Sequence, residues 1–366
     1  MAGVYISYPF CAQKCTYCNF ASGVFPRELT PRYLAAIETE ITNHQWHWTP
    51  DTVYLGGGTP SMMEPADLLS LMSKIPGRPW REATMEAAPG SFSPAQIEGW
   101  RNAGIGRVSL GVQSFVQNEI ARTGRKHTAE IVAADIAALR SAGIEDINID
   151  LIAGLAGQTT DSWCTSLDWI EKLGTPHVSI YMLEVDEDSR LGLEILQGGN
   201  RYGAGNIPTE EAITDFYEYA TARLAAIGIP RYEISNFARP GSQSQHNLKY
   251  WRLDPYIGFG ADAHSLDQGR RWQNVETAAE YTAKIEAGAK PESESTPAIP
   301  GEERYFVGLR LSEGVEPTPA EWIQLAEPLN RFIDEGLLER AGSRIRLTPR
   351  GVLLSNEVFA EFINLL

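Results

Sequence analysis

The chain has 366 residues, 43% of them hydrophobic and 21% charged, the balance of a globular protein long enough for one large domain and a smaller one. Its 47 Asp and Glu against 31 Lys and Arg leave a net charge of −16, and no basic stripe offsets it, which excludes nucleic acid as an expected partner. No apolar run approaches the ~20 residues that cross a bilayer and no signal peptide opens the chain, so the expected compartment is the cytoplasm, where clustered thiols serve metal binding or catalysis rather than disulfides.

Up to about Phe237 one unit repeats, a short β-branched run followed by an amphipathic stretch. The six runs are "VYI" from Val4, "TVYL" from Thr52, "ATMEA" from Ala83, "RVSLGV" from Arg107, "INIDLI" from Ile147 and "VSIYML" from Val178. After the first, "TPRYLAAIETEI" predicts a helix with Thr30 as N-cap and Pro31 at its first position. His44 and His47 beyond it suit a solvated helix end better than a metal site. After the third, "SPAQIEGWRNAG" predicts a helix capped by Ser93 and stopped by Gly104; after the fourth, Thr128 and Gly143 bound another. Cys164 falls on the helical face of Trp163, Leu167 and Ile170 and reads as a core residue.

Strands alternating with helices imply right-handed βαβ units and a parallel sheet, either a partial (β/α) barrel or a doubly wound sheet. Polar residues stand where buried strands end: the cysteine loop, "GGGTPS" at 56–61, Glu86, Gln113, Asp150 and Glu184. Strand C-termini of parallel α/β folds face one side, so these converge on one mouth and favour a barrel-like ligand site.

After Phe237 the rhythm breaks. "ARPGSQSQHNLKYWRLDPYIGFGADAHS" reads as ordered loop, "EPLNRFIDEGLLE" as helix and "LLERAGSRIRLTP" as a β-hairpin of winged-helix type. The expected division is 1–237 for the barrel, 238–300 for a connecting segment and 301–366 for a winged-helix-like domain.

Cys11, Cys15 and Cys18 stand in CxxxCxxC spacing directly after the first strand. Three thiolates can hold three irons of a 4Fe-4S cluster and leave the fourth open, whereas structural zinc calls for four closed ligands.

That motif, with Tyr17 before the last cysteine and a glycine-rich stretch after the second strand, resembles the radical S-adenosylmethionine superfamily. The resemblance runs through "YISYPFCAQKCTYC", "LGGGTPS", "MEAAPG", "RVSLGVQSF", "IDLIAGL" and "LTPRG" over nearly the whole chain. It implies a partial (β/α)6 TIM-like barrel of α/β class with a smaller C-terminal α/β domain, a 4Fe-4S cluster on the three cysteines, and S-adenosylmethionine on the open iron. It further implies that Gly57, Gly58 and Thr59 contact the cofactor's amino acid portion and Glu86 its ribose. Gln113, Arg125 and Asp150 would line the rest, with Tyr5 and Tyr17 beside the cluster. Ser7, Ala12 and Ala156 depart from the family's usual His, Pro and Pro; none is a cluster ligand.

Within that superfamily the chain resembles relatives of oxygen-independent coproporphyrinogen oxidase. The oxidases carry a further cysteine where Phe20 stands here, and a longer N-terminal extension; both differences favour the HemW branch, whose members act as haem chaperones. "HNLKYW" matches that branch's HNxxYW motif, with His246, Asn247, Tyr250 and Trp251 as the implied haem site. An imidazole can ligate haem iron, and Lys249 and Arg252 can meet propionates; a loop histidine bonded to backbone is the plainer alternative. His264 is a second histidine to weigh, and it too is most simply structural. The resemblance thus implies a protein that binds haem and delivers it to acceptor haem proteins such as membrane respiratory enzymes, the family admitting peripheral contact with the membrane's inner face. The rival is a radical enzyme of porphyrin biosynthesis that decarboxylates a porphyrinogen propionate.

Overall fold

The computed structural model describes residues 1–363; the last three residues of the expected 301–366 module lie outside the described residues. Six parallel strands stand side by side in chain order: β1 (Ala2–Tyr8), β2 (Pro50–Gly57), β3 (Glu82–Ala87), β4 (Arg107–Gln113), β5 (Asp146–Ala153) and β6 (His177–Met182). They alternate with α1 (Leu29–Asn43), α2 (Pro65–Ser73), α3 (Pro94–Ala103), α4 (Gln117–Thr123), α5 (Ala129–Ser141) and α6 (Thr160–Leu173). Beyond β6 come α7 (Arg190–Leu196), α8 (Glu210–Ala226), the short β7 (Asn236–Ala238) antiparallel to β6, and α9 (Gln245–Arg252). The architecture is the open (β/α)6 barrel, with all six runs forming strands.

The segment after Phe237 is not loop. β8 (Tyr256–Phe259) pairs parallel with β1, and β9 (His264–Asp267), β10 (Arg270–Asn274) and β11 (Glu292–Pro297) continue the same sheet to eleven strands. At four to six residues these strands are too short for periodicity to reveal. α10 (Ala278–Glu286) lies between the last two, and α11 (Pro300–Gly308) leads to a small helical module with the hairpin β12 (Leu338–Ala341) and β13 (Arg344–Leu347).

Each parallel strand carries two registers. Val4 and Ile6, Val53 and Leu55, Ala83 and Met85, Val108 and Leu110, Ile147 and Ile149, Val178 and Ile180 are buried in one apolar core beneath the helices. The alternate positions on the other face are largely polar: Thr52, Thr84, Glu86, Arg107, Ser109, Asn148, Asp150, His177 and Ser179. Cross-strand pairing stacks them, with Glu86 beside Ser109, Ser109 beside Asn148 and Asn148 beside His177. The barrel interior is therefore a hydrogen-bonded polar lumen.

Local signals hold at most helix ends. Ser93 accepts from Gln96 N in a reciprocal capping box, Gly104 follows with φ 99°, and Thr128 accepts from Ile131 N. α1 differs: it starts at Leu29 behind Glu28, so Thr30 lies inside its first turn and caps nothing. Cys164 differs too. It is half-buried, while Ser166 joins Trp163, Leu167 and Ile170 on the buried face of α6.

Candidate functional site

The cysteine loop is fastened at several points to the C-terminal end of the sheet. Cys11 N donates to Gly23 O (2.8 Å), Gly23 N to Pro9 O (2.9 Å), Thr16 N to Thr123 O (3.2 Å) and Leu191 N of α7 to Thr16 O (2.8 Å). All three thiols are half-buried and free. Burial pushes the Cys11 thiol up, opposed by hydrogen bonds from Thr59 and Ser22, and the other two thiols act on it electrostatically. Among the described residues no three His, Cys, Asp or Glu side chains converge tightly enough to chelate a single metal ion; the three thiols lie along one loop.

The glycine stretch packs on the start of that loop. Gly58 N donates to Tyr8 O (2.7 Å) and Thr59 N to Phe10 O (2.9 Å). A Cβ on Gly58 would lie 2.7 Å from Phe10 O and Pro9 C, so only glycine lets the two backbones meet there. Gly57, at φ 107°, donates to Glu86 Oε2 (3.1 Å).

Two carboxylates stand deeper. Glu86 also accepts from Tyr54 OH (3.0 Å); burial, then the nearby Asp150 charge, raise its pKa to about 7. Asp150 accepts from Asn148 Nδ2 (2.7 Å) and Ser109 Oγ (3.2 Å), and burial pushes it up as well. At the end of β4 a bulge holds Gln113, buried at φ 71°, a left-handed conformation of the kind that collects at functional sites. Arg125 donates to Gly111 O (2.7 Å) and meets Tyr17 and Cys15, while burial pushes the Tyr17 and Tyr5 phenols well up. The cysteines, Tyr5, Tyr17, Gly57–Thr59, Glu86, Gln113, Arg125 and Asp150 thus belong to one end of the barrel.

The HNLKYW stretch lies at the other end. It is helical, as α9, with Ser244 as N-cap. Glu82 anchors that N-terminus, accepting from Gln245 N (2.8 Å), His246 N (2.9 Å) and Ser244 Oγ (3.3 Å). His246 is fully buried, its Nδ1 bonded to Thr52 Oγ1 (2.9 Å) and its Nε2 to Tyr250 OH (2.8 Å). Burial, with Lys249 and Arg107 adding to it, lowers its pKa to about 3, so the ring is neutral. Its ring stacks on Tyr54 at 5.3 Å, and Tyr54 in turn donates to Glu86: one side chain joins the two ends.

Trp251 lies under the Arg310 guanidinium, 4.4 Å from the ring centre, and Asn247 N donates to Ser244 Oγ. Lys249 is committed to Asp51 (2.6 Å) and Arg252 to Glu313 (3.2 Å). His264 is exposed; His47 pairs with Asp267 (3.0 Å) and His44 packs on Trp46 and Phe259. Sequence reasoning missed Thr52, Tyr54, Glu82 and Arg107. The signal was the two-residue alternation inside runs that a parallel sheet with both faces dry would make uniformly apolar.

Donor set and cradle fit the groups the motif implies. Soft thiolates suit iron and sulfide, a glycine edge admits a ligand's backbone-like portion, and a carboxylate with a free lone pair accepts ribose hydroxyls.

Residues 5–170 match the model of the Radical SAM superfamily, and residues 296–354 that of the HemN C-terminal domain. Heme chaperone HemW of Bacillus subtilis is 33% identical over 99% of both chains. The chain belongs to the HemW family. The Lactococcus lactis heme chaperone HemW is 32% identical, over 98% of this chain and 96% of its own. HemW of Synechocystis is 34% identical over 97% and 95%. Among solved structures, coproporphyrinogen III oxidase (HemN) of Escherichia coli, described as a radical SAM enzyme, superposes with a TM-score of 0.86 at 20% identity, over 100% of this chain and 90% of that one. At that identity the likeness is one of fold. No described helix is long and apolar enough to cross a membrane.

Proposed function

We propose that this HemW-family protein binds haem and hands it to acceptor haem proteins, membrane respiratory enzymes among them, while carrying a 4Fe-4S cluster and S-adenosylmethionine. The observation that carries the proposal is the end-to-end similarity to proteins named heme chaperone HemW. In this reading Cys11, Cys15 and Cys18 hold the cluster. Gly57, Gly58 and Thr59 receive the amino acid end of S-adenosylmethionine, Glu86 its ribose, and Tyr5, Tyr17, Gln113, Arg125 and Asp150 enclose it. The cluster's contribution when bound is one-electron chemistry.

At the opposite end His246 takes haem iron, with Asn247, Tyr250 and Trp251 around it. Its neutrality supports that role, since only an unprotonated nitrogen can ligate. Nε2 must exchange the Tyr250 hydroxyl for iron, while Nδ1 keeps Thr52 and fixes the ring. Residues 1–237 form the barrel unit, 238–300 the connecting segment that extends its sheet, and 301–366 the C-terminal module, whose described part covers α9 and offers a docking surface.

The test is haem titration of the anaerobically purified protein, followed by iron and sulfide analysis. A Soret band in His246→Ala identical to wild type removes His246 as ligand. Vinyl product from coproporphyrinogen, reductant and S-adenosylmethionine would replace the carrier reading with the oxidase. Phe20, 65% exposed where the oxidases carry a cysteine, speaks against that result.

A further inference from the structure

A cavity of about 240 Å³ opens at the N-terminal end of the barrel, next to α9 and away from the cysteine loop. Its walls include Arg81, Gly106, Arg107, Asp146, Gln243 and Gln245. Arg107 is the unusual member. It is only 3% exposed, yet among the described residues its Nε makes no hydrogen bond, and its one ion pair is a loose 3.5 Å contact of that Nε with Asp146 Oδ1. A guanidinium buried with unused donors is costly unless something accepts from it. Two carboxylates balance its charge without taking up its remaining donors: Glu82 spends its oxygens on the N-terminus of α9, and Asp146, at the half-open rim, meets only Nε.

Arg107 is also near enough to His246 to help hold that imidazole neutral. Lys249 and Arg252, the cations expected from the sequence to meet propionates, are already paired. Arg81, on the same wall, is exposed and makes no ion pair among the described residues. The cavity thus presents two guanidiniums with donors to spare, close to the histidine proposed to take iron. Arg is the side chain whose planar fork matches a carboxylate.

Resting on the haem reading above, we infer that this basal cavity receives the propionate edge of haem, with Arg107 binding one carboxylate inside and Arg81 the other at the rim. The cavity is smaller than a tetrapyrrole, so the ring itself lies toward α9 and only its acidic edge enters. Gly106 leaves the entrance clear: its φ is ordinary for any residue, and a Cβ there meets nothing within 4 Å.

The test compares haem with haem dimethyl ester, which lacks the carboxylates, by equilibrium titration of the full-length protein. Wild type should prefer haem by roughly 10- to 100-fold, the worth of a charge-assisted hydrogen-bonded pair. Arg107→Gln should lose most of that preference while leaving ester binding unchanged, which a merely unfolded variant cannot do. Gly106→Phe, which fills the cavity and keeps the charge, should weaken haem more than ester. Equal binding of the two ligands by wild type, or a preference retained in Arg107→Gln, overturns the inference. The two readings fail separately. A lost Soret shift in His246→Ala with Arg107→Gln still preferring haem leaves the iron site standing alone. An unchanged His246→Ala spectrum with a lost preference in Arg107→Gln leaves the propionate site and removes the ligand.

Discussion

Glu86 and Asp150 are two acids sunk in one lumen, and each makes the other's charge harder to hold. With a folded pKa near 7 against about 4.3 in the unfolded chain, Glu86 binds more protons folded than unfolded between those values. Stability from this group is therefore greatest below the unfolded value and is lost as pH rises through 7. Glu86→Gln should raise the melting temperature of the apo protein at pH 8 and flatten its dependence between pH 5 and 8, as measured by thermal scans in matched buffers. Tyr54→Phe acts oppositely: removing the hydroxyl that favours the charged carboxylate should push the Glu86 titration above 7, so the melting temperature should start to fall at the same pH as in wild type but go on falling to higher pH. Glu86 itself was legible in the sequence as a charge closing an apolar run. Tyr54 was not, because an aromatic in a strand is the ordinary case and only the lumen gives it two polar neighbours.

At the level of elements, two backbone junctions hold the site's ends. The first is the meeting of the glycine stretch with the cysteine loop. Gly58→Ala must move Pro9 and Phe10 by several tenths of an ångström, at a cost of about 1–3 kcal/mol, and with them the loop that carries Cys11. Iron bound after reconstitution should fall well below wild type, whereas Gly106→Ala, with open space above it, should reconstitute normally. The second junction is Glu82 under α9. Glu82→Ala strips acceptors from two backbone N–H groups and one hydroxyl, an expected loss on the order of 3 kcal/mol, and amide exchange at residues 245–252 should quicken.

The helices that sequence foretold well, at Ser93 and Thr128, are those whose ends are set by their own residues. α9 and β8 escaped because their order comes from partners far along the chain, Glu82 for the helix and β1 for the strand, while β9–β11 pair with chain neighbours but are too short for an alternation to show. The cysteine trio needs no such context, since ligand spacing within one loop is written in the sequence itself.

For the whole molecule the question is whether the C-terminal module unfolds by itself or with the barrel. Its contacts favour the second answer. Glu303, 7% exposed on α11, accepts from Arg271 Nε of β10 (2.7 Å) and from Ile299 N (2.8 Å), tying the module to the extended sheet. Arg310 covers Trp251, Arg252 reaches Glu313, and Glu233 pairs through backbone with Leu311, so α9 is clamped between barrel and module. Glu303→Ala leaves Arg271 without its carboxylate and should cost about 2–3 kcal/mol. If the clamp operates, the loss spreads: hydrogen exchange should accelerate in α11 and in α9 together, although no atom of Glu303 is bonded to α9. Acceleration confined to residues 300–363 would instead make the module a separate folding unit, and would leave access to His246 governed by Glu82 alone. The joint response is expected because Trp251 of α9 packs under Arg310, in the turn that directly follows α11, so α9 cannot open without uncovering the end of α11.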